Sequence, residues 1–126
     1  MLEQRDGQKG TVLIVEDERS VADALRIILE DSGYRVSVAL TGRDAIDSAL
    51  RDEFCLMITD IDLGDMTGFE VIHAVCKHKP QTPFIVITSN GSPEVIAEAR
   101  TCGAAGFLLK PFLPSEILQL IRTTLS

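Results

Sequence analysis

Five short runs along the chain are dense in apolar residues: 11–15 (TVLIV), 34–40, 55–60, 84–88 (FIVIT) and 106–109. The first, third and fourth are almost continuously apolar, the pattern of parallel strands covered on both faces. The second alternates through Arg35, Val36, Ser37 and Val38, which suits a strand nearer a sheet edge. Between the runs, apolar residues recur at helical spacing. Ala24, Leu25, Ile28 and Leu29 make one stripe within 20–32, and Gly33 stands where a helix-ending glycine belongs. Ala45, Ile46 and Ala49 repeat the spacing within 41–50. Val71, Ile72 and Val75 mark a helix over 68–78, which Pro80 forbids from continuing. Ser92 caps a fourth helix with Pro93 at its first position, running to Cys102 before Gly103. A fifth covers 115–125 and begins on Ser115, a good cap residue.

A strand followed by a helix, five times over, specifies an α/β domain with a parallel sheet. Right-handed crossovers leave few topologies. The expected one is a doubly wound five-stranded parallel sheet of order 2-1-3-4-5, a flavodoxin-like (βα)5 three-layer sandwich. Residues 1–10 read as a polar lead-in and 11–126 as the single domain. The closing RTTLS stops in or just after a helix, which suits either a stand-alone domain or one cut from a longer protein.

Composition narrows the functions without naming one. A formal net charge of −7 argues against a nucleic-acid-binding face. No apolar run approaches the roughly 18 residues of a membrane-spanning helix, and the N-terminus lacks the apolar stretch of a signal peptide. Cys55, Cys76 and Cys102 show no CxxC or Cys/His ligand spacing and are expected as buried or half-buried thiols in a reducing cytoplasm. His73 and His78 are expected on the surface without metal-ligand company.

The chemistry collects at the strand ends, where such sheets bind ligands. The first strand runs into Glu16, Asp17 and Glu18, and the third into Asp60, with Asp62 and Asp65 close behind. The fourth ends in Thr88 and Ser89, and the fifth delivers Lys110. Clustered carboxylates raise one another's pKa unless a cation neutralises them. Oxygen-only ligands with room for water and phosphate suit Mg²⁺ (or Mn²⁺). Between metal and ammonium, Asp60 stays ionised and can attack phosphorus, while Thr88 can donate to a phosphoryl oxygen. Asp65 and Glu18 are read as solvated loop charges.

The stretches VLIVEDE, TGRDA, TDIDLGDMTG, VITS and FLLKPF, in this order, resemble the receiver domain of two-component response regulators over nearly the whole chain, from about Thr11 to Arg122. The resemblance implies Asp60 as phosphoacceptor. It implies Mg²⁺ bound by Asp17, by Glu16 through water, by Asp60 and by the backbone carbonyl of Asp62. Thr88 and Lys110 would contact the phosphoryl group, and Phe107 takes the place of the switch aromatic, three residues before the lysine. Asp62 and Asn90 would tune the phosphoryl lifetime. The Lys110–Pro111 bond is expected to be cis. The implied partners are a sensor histidine kinase or histidine phosphotransfer protein, and a downstream protein or output domain met through the fourth helix, fifth strand and fifth helix. The domain would act as a monomer or a phosphorylation-linked homodimer, with no turnover of an external substrate. Gly64 stands where the family usually has proline, which implies a more flexible loop. Gly103 and Gly106 are expected to make the backbone around the switch pliable.

Other functions fit less well. Asp60-x-Asp62 resembles the motif of haloacid-dehalogenase-like phosphatases, but here the acidic pair precedes it and no length remains for a substrate-selecting cap. A flavin or nucleotide carrier needs a phosphate-cradling loop after the first strand, where this chain offers three carboxylates. A receiver-like module that binds partners without phosphorylation would have little use for the complete acidic, hydroxyl and lysine set.

Overall fold

A computed structural model of the protein describes residues 10–126; residues 1–9 of the expected lead-in lie outside the described residues. Strands and helices alternate in chain order as β1 (Thr11–Val15), α1 (Arg19–Asp31), β2 (Arg35–Ala39), α2 (Gly42–Arg51), β3 (Leu56–Thr59), α3 (Gly68–His78), β4 (Phe84–Thr88), α4 (Pro93–Thr101), β5 (Gly106–Leu109) and α5 (Pro114–Leu125). The sheet has the expected order β2-β1-β3-β4-β5, with every pairing parallel. The alternating second strand does lie at an edge.

Because strand side chains alternate, each central strand feeds two cores. Val12, Ile14, Leu56, Ile58, Ile85 and Ile87 face Leu25 and Leu29 of α1 and Ile117 and Ile121 of α5. Leu13, Val15, Met57, Phe84 and Val86 face α2, α3 and α4 through Ala45, Val71, Ile72 and Ala99. Each fully buried aliphatic side chain contributes about 1.5–3 kcal/mol by leaving water. Two such faces make the central strands rigid posts for whatever stands at their tips.

Two local expectations change. The fifth helix starts at Pro114 after Leu113, not on Ser115. A leucine has no acceptor to cap with, so Glu116 reaches back and its Oε1 accepts from the Leu113 N–H at 2.7 Å. Gly106 serves contact more than pliability, since a Cβ there would press into Leu120 of α5.

Candidate functional site

The carboxyl ends of β1, β3 and β5 meet at one point. The Asp60 N–H extends the ladder by donating to the Val15 carbonyl at 2.9 Å, so the Asp60 side chain inherits the order of the sheet. Its Oδ1 accepts from the Ile61 N–H at 2.6 Å, and its Oδ2 from Lys110 Nζ at 2.7 Å. Lys110 also reaches Glu16 Oε1 at 2.8 Å and the more exposed Glu18 at 3.3 Å. Its backbone N–H donates to the Thr88 carbonyl at 2.9 Å, and the following Lys110–Pro111 bond is cis, as expected. Glu16 and Asp60 are buried, while Asp17 is exposed at the rim.

The electrostatics follow from that crowding. Burial pushes the Glu16 carboxyl up, only partly opposed by its hydrogen bond to Lys110. Burial alone would pull Lys110 down, but the hydrogen bonds and charges of Asp60 and Glu16 outweigh it and raise its pKa. Lys110 is therefore a fixed cation. One ammonium against Glu16, Asp17 and Asp60 still leaves carboxylate charge uncompensated. Ligand oxygens of those three residues all lie within 4.8 Å of one another, the only such grouping among the described residues. An all-oxygen set with an open, solvent-facing side fits a hard divalent cation.

The loop after Asp60 completes the frame. Asp62 and Thr67 form an antiparallel bridge of the type in which Leu63 N–H meets Met66 O at 3.3 Å and Gly68 N–H meets Ile61 O at 2.6 Å. In that pattern residues 62 and 67 are the pair without mutual hydrogen bonds, which leaves the Asp62 carbonyl free of a backbone partner. Gly68 lets α3 start directly against Asp60, because a Cβ there would overlap the Asp60 carbonyl. Gly64 has φ +84°, which proline cannot adopt, so the departure at this position is built into the turn.

The remaining predicted residues engage other groups. The Thr88 hydroxyl is fully buried and accepts from the Asn90 N–H at 3.1 Å. The Asn90 side chain in turn accepts from the Ser92 N–H at 3.0 Å. Phe107 pairs with Val86 across the sheet and borders a cleft of about 200 Å³ with Ile96, Ala99 and Arg100 of α4.

Two residues correct the sequence reading. Asp65, although exposed, is more than a solvated charge: Oδ1 accepts from Gly42 N–H at 2.9 Å and Oδ2 from Arg43 N–H at 3.0 Å. Those two bonds hold its carboxyl below the usual aspartate range. Glu18 touches Lys110. His73 is exposed, as expected, and belongs to no metal-binding group among the described residues, although its Nε2 lies 3.9 Å from Cys102 Sγ at the end of α4. Nothing in the local sequence announces these pairs.

Comparison with known proteins agrees with this geometry. A family model described as the response regulator receiver domain matches residues 12–122. The chain is 35% identical over 118 residues to an uncharacterized transcriptional regulatory protein, YkoG, of Bacillus subtilis, covering 94% of this chain and 52% of that one. It is 42% identical over 98 residues to the luminescence regulatory protein LuxO of Vibrio campbellii, covering 78% of this chain and 22% of LuxO. Among solved structures, chemotaxis protein CheY4 of Vibrio cholerae superposes with a TM-score of 0.86 at 35% identity, over 90% of this chain and 97% of that one. The chain thus spans about half or less of the curated relatives it matches.

Proposed function

The chain belongs to the response regulator receiver domain family, and on that premise we propose that Asp60 accepts a phosphoryl group from a phosphohistidine. A carboxylate oxygen of Asp60 attacks phosphorus, the P–N bond breaks, and the imidazole leaves with the electron pair and takes up a proton. Glu16, Asp17, Asp60 and the Asp62 carbonyl would hold Mg²⁺ (or Mn²⁺), which when bound neutralises charge on the phosphoryl oxygens.

The chain's own residues do the rest. The Ile61 N–H and Lys110 fix the two Asp60 oxygens, so the nucleophile is oriented before a donor arrives. Lys110 stays protonated and turns to the phosphoryl group once Asp60 is phosphorylated. Glu16 keeps hold of the ammonium from the other side. The observation that carries this reading is the Lys110–Asp60 contact inside a cluster of three converging carboxylates.

The added charge, roughly −1.5 to −2, draws the Thr88 hydroxyl away from the Asn90 N–H. Phe107 then moves on the same face of the sheet and reshapes the α4–β5–α5 surface, where Leu109 is already exposed. Asp62 and Asn90, flanking the acceptor and the hydroxyl, set the phosphoryl lifetime by placing or obstructing water.

Receiver domains work with histidine kinases and output domains, and as a family are not turnover enzymes. For this chain the donor is a sensor kinase or phosphotransfer protein in the cytoplasm, and the target a downstream protein or attached output domain. No helix among the described residues is long and apolar enough to cross a membrane. Incubation with acetyl phosphate followed by intact mass tests the reading. One phosphoryl group should add with Mg²⁺ present and none in excess chelator, whereas labelling unaffected by chelator would remove the metal from the mechanism.

A further inference from the structure

The loop between Asp60 and α3 carries, in the reading above, the carbonyl that completes the metal set. That loop contains Gly64 at φ +84°, the residue type with the widest backbone freedom. Its own hydrogen bonds, Asp65 N–H to Leu63 O at 2.9 Å and Leu63 N–H to Met66 O at 3.3 Å, fold it into a turn. They do not fix where that turn sits on the protein.

Asp65 does. Its two oxygens take the N–H groups of Gly42 and Arg43, the first two residues of α2, while the Thr41 hydroxyl takes the third from Asp44 at 3.1 Å. A helix leaves its first N–H groups without internal partners. Here two of them are satisfied by a carboxylate 23 and 22 residues further along the chain, with favourable helix-dipole charge. The neighbouring Met66 side chain lies so close to Gly42 that a Cβ there would collide with it. At its other end the turn is pinned by Gly68 N–H on the Ile61 carbonyl. The turn is therefore clamped between the starts of α2 and α3, with Gly64 facing Asp17: a Cβ on Gly64 would lie 3.9 Å from Asp17 Oδ2.

We propose that Asp65 is a positioning residue of the phosphoacceptor site, tethering the β3–α3 loop to the first turn of α2 so that the Asp62 carbonyl is held beside Asp17 and Asp60 for the divalent cation. The proposal rests on the reading of this site as a phosphoacceptor with a bound metal. Asp65 touches neither phosphoryl group nor ion; it acts through the loop. A carboxylate suits the task because two parallel acceptors meet two successive N–H donors.

The test uses Asp65→Ala and Asp65→Asn, with Thr41→Ala as a control that weakens the same helix start without touching the loop. In metal-free protein, amide hydrogen exchange is followed at residues 62–67. Mg²⁺ binding is followed by amide chemical shifts, and acetyl phosphate labelling is measured against Mg²⁺ concentration. Asp65→Ala should speed loop exchange and raise the half-saturating Mg²⁺ concentration roughly tenfold, as loss of an outer-shell partner does, while labelling at saturating Mg²⁺ recovers. Asp65→Asn, which keeps one acceptor oxygen, should fall between. Thr41→Ala should lower the unfolding midpoint and leave the Mg²⁺ midpoint in place. An unchanged Mg²⁺ midpoint in Asp65→Ala overturns the proposal, as does an equal shift in Thr41→Ala. If wild-type protein binds Mg²⁺ with the expected tether dependence yet takes no label on Asp60, the phosphoacceptor reading fails and the tether stands.

Discussion

Lys110 and Asp60, fifty positions apart in the chain, meet at 2.7 Å between Nζ and Oδ2. The same ammonium also lies 2.8 Å from Glu16, so a single cation bridges the two buried carboxylates of the acidic cluster. Substituting Lys110→Met should leave those charges facing each other in a site of low dielectric. In chelator, urea denaturation should show a loss of roughly 3 kcal/mol, and Mg²⁺ should restore more stability to the variant than to wild type. Equal metal-free stability would mean that Lys110 is not the cluster's counterion.

Gly68→Ala sets two effects against each other. Alanine favours a helix over glycine by about 1 kcal/mol, yet its methyl would overlap the Asp60 carbonyl, and overpacking against fixed backbone costs about 1–3 kcal/mol. The clash should win because neither side is a flexible side chain. The variant should be less stable than wild type and should phosphorylate more slowly at saturating Mg²⁺. A neutral or stabilising result would show that α3 can back away from the acceptor freely.

Asp65 gives a pH signature. Hydrogen bonds from Gly42 and Arg43 lower its pKa in the folded state. A carboxyl whose folded pKa is depressed contributes stability that is present above its unfolded pKa, about 3.9. That contribution disappears as pH falls through the lower folded value. The gap in melting temperature between wild type and Asp65→Asn should therefore be full near neutral pH and close in acid. A gap that widens as pH falls below about 4 would contradict the assignment.

Thr88→Val keeps the shape of the side chain but removes the hydroxyl. The variant should still bind beryllofluoride at Asp60, since Lys110 and the carboxylates remain. Its amide shifts around Ile96, Ala99 and Phe107 should respond much less than those of wild type. Undiminished shifts there would separate Thr88 from the switch.

Much of this was legible in the sequence because the parallel sheet translates position into place. A strand buried on both faces is apolar along nearly all its length, so TVLIV and FIVIT announce themselves, and Glu16 just after the first and Thr88 closing the second must then stand at one end of the sheet. Lys110 and Asp60 meet for the same reason. What escaped depends on tertiary approach. The sequence around Asp65 says nothing of Gly42, and His73 gives no hint of Cys102. Gly68 and Gly106 look like ordinary glycines until the Asp60 carbonyl and Leu120 are seen beside them. Leu113 as a helix start was hidden by Ser115, the better capping residue, because Glu116 supplied the missing acceptor.

The most direct measurement compares wild type with Asp60→Asn after incubation with acetyl phosphate and Mg²⁺, by intact mass and peptide mapping. Wild type should carry one hydroxylamine-sensitive phosphoryl group on Asp60, and the variant, folded and with Lys110 in place, should carry none. Undiminished labelling of Asp60→Asn would contradict the account, because the acceptor would then lie elsewhere.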